Sequence, residues 1–78
     1  MNKSVEDKII SCLFSLSDPN NGAEVEIVFD EKKQLIQIQA IGTIVVAHSI
    51  SIDNFISMPI DVFCSLSRSI EKDAGIAA

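Results

Sequence analysis

Residues 24–41, EVEIVFDEKKQLIQIQAI, hold the pattern that decides the fold. From Glu24 to Asp30 apolar residues recur at every second position, with Val25, Ile27 and Phe29 on one side and Glu24, Glu26, Val28 and Asp30 on the other. That period belongs to a half-buried strand, because successive side chains of an extended backbone point to opposite faces. The alternation resumes after the polar tetrapeptide Glu31-Lys32-Lys33-Gln34, where Ile36, Ile38 and Ala40 alternate with Leu35, Gln37, Gln39 and Ile41. A four-residue connection pairs Asp30 with Leu35 and Phe29 with Ile36, which puts both apolar sets on one face. Loop length and hydrophobic pattern therefore agree on an antiparallel hairpin of strands over about 24–30 and 35–41.

Toward the C-terminus, Gly42-Thr43 as a two-residue turn pairs Ile38 with Ala47 and throws His48, Ile50 and Ile52 onto the outer face. The set Ile44, Val46, His48, Ile50 and Ile52 reaches the core face only if one further residue enters the turn, as in a three-residue loop with a bulge. The spacing accordingly predicts that loop and a third strand over about 44–52; otherwise the outer face must itself be covered. Asp53-Asn54 caps a short turn carrying Phe55 and Ile56, and Pro59 suits the first turn of a helix, where its missing N–H costs nothing. A helix over about 59–73 aligns Ile60, Phe63, Leu66, Ile70 and Ala74, with Asp61, Ser65, Arg68 and Lys72 opposite. Gly75 reads as its C′ residue, and 75–78 as a frayed tail.

Upstream of the hairpin, Ser4-Val5-Glu6-Asp7 resembles a capping box and opens a helix over about 4–17. Val5, Ile9, Cys12, Leu13 and Leu16 form its apolar stripe, and Ile10 and Phe14 widen that stripe until the helix reads as mostly covered. Asp18-Pro19-Asn20-Asn21-Gly22 then reverses the chain. The order and the periods give an α+β, two-layer sandwich, α-β-β-β-α. It has a three-stranded antiparallel meander, both helices on one face, and a single compact domain across residues 1–78.

Of 78 residues, 47% are apolar, enough for a core, and 6 Lys+Arg against 11 Asp+Glu leave a net charge of −5. With a pI near 4.5 and a mean hydropathy of +0.34, the chain has nothing to neutralise a run of phosphates, which argues against direct nucleic-acid binding. No apolar run is long enough for a membrane helix, and Glu6 and Asp7 stand where a secretion signal has its apolar stretch. The expectation is a cytoplasmic protein with no membrane contact. Cys12 and Cys64, far apart and without metal-ligand spacing, read as buried free thiols.

Motifs that carry chemistry are missing. His48, Cys12, Cys64, ten serines and Asp53 supply the residue types of a nucleophilic site, yet no local motif sets a nucleophile on a sharp turn. His48 reads as a structural histidine on the apolar face of the third strand, at the sheet's end or under a helix. Glu24, Glu26 and Asp30 read as a solvated acidic edge and not as an acid/base pair, and no calcium or zinc motif accompanies them. Three glycines, none in a phosphate-binding spacing, give nucleotides no foothold. There is no Trp or Tyr for base stacking: Phe14, Phe29 and Phe63 sit at core spacing and Phe55 beside a turn. Lys32-Lys33 reads as a solubilising hairpin tip. No catalytic residue, cofactor or metal is expected.

What remains is a surface. With both helices on one side, the sheet's outer face carries Glu24, Glu26, Val28, Asp30, Leu35, Gln37, Gln39 and Ile41, joined by Val45 and Ala47. Such an acidic end grading into an apolar, glutamine-studded patch is a partner-binding face, and it suggests a homodimer through this face or through the edge of the third strand. The expected protein partner is basic and itself handles nucleic acid, so that an acidic surface can block its groove. In size, acidity and lack of catalytic motifs the chain resembles the small anti-CRISPR and anti-restriction inhibitors of phages and mobile elements. The run Val25-Glu26-Ile27-Val28-Phe29-Asp30-Glu31, with Leu35-Ile36-Gln37-Ile38, is also similar to the early hairpin of type III secretion chaperones. That resemblance implies a small acidic dimeric chaperone or adaptor instead.

Overall fold

The computed structural model describes residues 3–20 and 22–76. Six elements follow one another: α1 (Lys3–Leu16), β1 (Glu26–Asp30), β2 (Leu35–Ile41), β3 (Val45–Ser51), α2 (Ile52–Ser57) and α3 (Ile60–Asp73). The strands form one antiparallel sheet in the order β1-β2-β3, so the α+β meander predicted from the sequence is present, with one short helix added. No helix among the described residues is long and apolar enough to cross a membrane.

The first hairpin has the predicted register, with Phe29 opposite Ile36 and Asp30 opposite Leu35. Its tip turns tightly because Gln34 takes a left-handed φ of 54°, while the Asp30 carboxylate accepts from the Lys33 N–H at 3.1 Å. In the second hairpin Ile38 faces His48 and Ile41 faces Val45, so Gly42-Thr43-Ile44 form the three-residue connection that the apolar pattern demands. The extra residue lies in the connection itself and the ladder runs on without a bulge, from Ile41–Val45 to Leu35–Ser51.

That connection rests on the end of α3. The Ala74 carbonyl, which the helix leaves unpaired, accepts from Thr43 Oγ1 at 3.1 Å and from the Ile44 N–H at 3.2 Å. Gly75, at φ +84°, closes α3 as the predicted C′ residue: its N–H donates to the Lys72 carbonyl, and Ile76 N–H donates to that of Glu71. Residues 75 and 76 are thus not frayed, and Ile76 packs half-buried against the core. The remainder of the predicted tail, residues 77–78, lies outside the described residues.

Other boundaries move by a few residues. α1 already includes Lys3, which places Ser4 inside the first turn and not at the cap. β1 begins at Glu26, because the Glu24 N–H donates to the Glu71 carboxylate at 2.6 Å instead of to a neighbouring strand. β3 ends at Ser51, whose hydroxyl accepts from the Asn54 N–H at 3.3 Å and starts α2 where the sequence suggests only a turn. The Lys8 ammonium donates to the Met58 carbonyl just beyond α2, a cation at a helix C-terminus that ties α1 to α2. Pro59 stands at the N-cap of α3, and Ile60 opens the helix.

The core lies between the inner sheet face and the helices. Phe55 and Phe63, both fully buried, meet edge to face with centroids 5.5 Å apart, over Ile36, Ile38 and Ala40. From α1 it takes Val5, Cys12 and Leu16, and from α3 Cys64, Ser67 and Ile70. Two expectations fail here. Phe14 is 75% exposed, with Ile10 and Leu13 also about half in solvent, so α1 is covered along one line only. The broad apolar stripe of the sequence is wider than the surface that its neighbours, α2 and α3 among them, offer it. His48 shares the core face with Ile38 and Ile50 but is exposed, between the half-buried Val46 and the buried Ile50 of the same edge strand.

Cys12 and Cys64 are buried and free, as predicted. Ser67 is fully buried with its hydroxyl unpaired, a group that costs about 1–3 kcal/mol to keep dry. Ser67→Ala is therefore expected to stabilise the fold by about 1 kcal/mol, read as a higher urea midpoint at unchanged slope. A lower midpoint contradicts an orphaned hydroxyl.

Candidate functional site

The register lays the outer face out in rows across the three strands: Ile41–Val45, then Glu26–Gln39–Ala47, then Val28–Gln37–Ser49, then Asp30–Leu35–Ser51. Seven of the eight residues singled out from the sequence, Glu26, Val28, Asp30, Leu35, Gln37, Gln39 and Ile41, stand together on it. Glu24 does not. It lies in the segment before β1, exposed, its backbone fixed by Glu71.

Along the strands the face changes character. At the β1–β2 tip, Asp30 and Leu35 are half-buried and the Asp30 carboxylate is engaged with its own turn. The glutamines fill the middle, partly covered by their neighbours. The other end is the open one: Ile41 is 57% and Val45 60% exposed, with Ile44 beside them in the connection. Val28, 48% exposed, stands two rows away on the β1 edge, beyond Glu26 and Gln39. Together Ile41, Ile44 and Val45 make an exposed apolar patch at this end of the sheet.

At that open end Glu24, Val25, Glu26, Gln39, Ile41 and Ile76 line a shallow groove of about 250 Å³. Two carboxylates and an amide border a surface formed by three aliphatic side chains. Such a lining suits a Lys or Arg side chain, its stem lying on Ile41 and Ile76 and its charged head reaching Glu24 or Glu26. Sequence reasoning missed Val25 and Ile76. The alternation puts Val25 on the core face, where it does pack half-buried while also lining the groove, whereas Ile76 reads as a loose tail although the Gly75 cap turns the chain back and delivers it to this place.

The nucleophile types are not gathered into one open site. His48 is exposed on β3, whereas Cys12 and Cys64 are buried on α1 and α3. Burial pushes the Cys12 thiol up from its ordinary value, Lys8 opposes this, and Cys64 adds to it; the thiol is held neutral at ordinary pH. Among the described residues no three His, Cys, Asp or Glu side chains are grouped so as to hold a metal. Compared with known proteins, the chain matches no family model, no curated protein and no solved structure.

Proposed function

We propose that the chain is a non-enzymatic, acidic protein-binding module, acting in the cytoplasm as a homodimer, that docks on a basic nucleic-acid-handling protein and inhibits or regulates it. An inhibitor of the anti-CRISPR or anti-restriction kind is its concrete form. The groove bordered by Glu24 and Glu26 and based on Ile41 and Ile76 carries this reading, because it joins the charge and the apolar surface that a basic side chain needs. A nucleic-acid groove is rich in such side chains, and an acidic chain of net charge −5 is drawn to it.

The test is capture on the tagged chain from a bacterium with active defence systems, washed at low and then high salt. A nucleic-acid-binding protein held at low salt is expected. High salt and the Glu24→Lys plus Glu26→Lys variant should each release it, with affinity falling about tenfold or more per charge pair lost in a desolvated contact. Retention indifferent to salt and to both charge reversals, but lost in Val28→Asp, overturns the proposal. That outcome favours the chaperone or adaptor reading, which the exposed Ile10, Leu13 and Phe14 of α1 also support.

A further inference from the structure

The strand order makes β1 and β3 the two edges of the sheet, and they are built differently. β1 is flanked and faced by acids, with Glu26 and Asp30 within it and Glu24 and Glu31 on either side. Charged side chains are a common means of keeping a sheet edge from pairing with another chain. β3, Val45–Ser51, is seven residues of VVAHSIS with no Asp, Glu, Lys, Arg or Pro. It also carries no bulge. Its Val45, Ala47, His48, Ser49 and Ser51 are exposed.

The direction of its free main-chain groups follows from the ladder. The Gly42 N–H donates to the Ile44 carbonyl at 3.0 Å, and the Ile52 N–H donates to the Gln34 carbonyl at 3.1 Å. Hydrogen-bonded pairs alternate in an antiparallel ladder, so between these two bonds they fall at Ala40–Val46, Ile38–His48 and Ile36–Ile50. The N–H and C=O groups of Val45, Ala47 and Ser49 therefore point away from β2, along an open edge.

We propose that β3 pairs antiparallel, about a two-fold axis, with β3 of a second copy of this chain, so that two three-stranded sheets become one of six. The proposal rests on the homodimer of the preceding reading and gives it a location. With a second copy as the occupant, the charges select this edge. Two chains of net charge −5 repel each other, and β1 pairing with its own copy about Val28 sets Glu26 against Asp30. β3 pairing about His48 sets Val45 opposite Ser51 and Ala47 opposite Ser49, with no carboxylate in the contact. Each outward pair exchanges two N–H···O bonds, and side chains stay on the faces they already occupy because the register keeps the pleat. The interface is an isologous edge-to-edge contact of the kind closed dimers use.

The experiment is light scattering on the full chain from micromolar to millimolar concentration, with hydrogen exchange on the same samples. A mass of twice 8.5 kDa is expected. The Ala47 and Ser49 amides should be protected in the dimer and lose protection on dilution, while the Val46 and Ile50 amides, bonded to β2, keep theirs. Ser49→Pro removes an outward donor and is expected to weaken dimerisation about tenfold or more with the sheet intact. Val28→Asp on the outer face leaves the dimer unchanged. A chain monomeric throughout, with Ala47 and Ser49 exchanging freely, overturns both the pairing and the dimer. A dimer lost in Val28→Asp with the Ala47 and Ser49 amides unprotected overturns the pairing alone and moves the contact to the outer face. Because the exchange readout uses the unaltered chain, it decides the matter even if the proline variant fails to fold.

Discussion

Phe55→Ala is expected to cost about 3–5 kcal/mol, the range for truncating a buried aromatic. The fold of a 78-residue chain has on the order of 4–12 kcal/mol in all, so the variant stands at the edge of unfolding. The ring is fully buried and meets Phe63 edge to face at 5.5 Å, so its loss removes both its own transfer energy and the partner's contact. It also sits on a helix of six residues, too short to hold its shape without packing. Once Phe55 is gone, α2 has only Ile52 left in the core, and the Lys8 bond to Met58 loses its support. Urea unfolding followed by far-UV circular dichroism reads the effect. A loss below about 1 kcal/mol contradicts the central role given to this ring. Phe14→Ala is the control: with 75% of the side chain in solvent, it is expected to change stability by less than about 0.5 kcal/mol.

Gly42→Ala is expected to destabilise by about 2–4 kcal/mol, although it adds a single methyl group to an exposed turn. The turn lies so close to α3 that a Cβ at Gly42 meets the Ala74 carbonyl oxygen and also comes within 2.9 Å of the Ile76 side chain. The oxygen belongs to the helix backbone and cannot swing aside as a side chain can. Relief requires the connection to lift, and the Ala74 carbonyl then loses both donors, Thr43 Oγ1 and the Ile44 N–H, each worth about 1 kcal/mol. Thermal unfolding reads the loss, and exchange at the Ile44 amide reads its location. A variant as stable as the wild type, with Ile44 still protected, rules out the close docking of this turn on α3.

The proposed pairing and the acidic groove occupy different sides of the sheet. Glu24, Val25 and Glu26 lead into β1, Gln39 and Ile41 belong to β2, and Ile76 follows α3, so none of the lining comes from β3. A dimer through β3 leaves the groove of each copy open and presents two of them. A partner with two basic segments is then held at both, and the second contact forms at the effective concentration set by the first. The proposed arrangement gives the two edges different tasks, pairing at the uncharged β3 and recognition at the acidic β1.

Much of the fold was legible in the sequence. The period of two in residues 24–41, with a four-residue connection, fixes the first register, and the apolar set from Ile44 to Ile52 requires three residues between β2 and β3. The helical stripe of Phe63, Ile70 and Ala74 and the cap at Gly75 were equally plain. These are local properties: the direction of a side chain about its own strand or helix, and the length a turn needs. Seven of the eight outer-face residues follow from them directly.

Tertiary structure decided which of those directions meets another element. Phe14 and Phe55 are both phenylalanines in apolar surroundings, yet one is 75% exposed and the other fully buried, because α2 folds under the sheet while α1 shows one flank to solvent. His48 points the same way as Ile38 and Ile50 and is nevertheless exposed, although Ile50 on the same edge strand is buried. Glu24 left the sheet when the Glu71 carboxylate, 47 residues away, took its N–H. Ile76 entered the groove through a cap whose destination depends on where α3 ends against the sheet. Periodicity gives the direction of a side chain from its own backbone, but burial depends on what lies in that direction, and only the packing of distant segments supplies it.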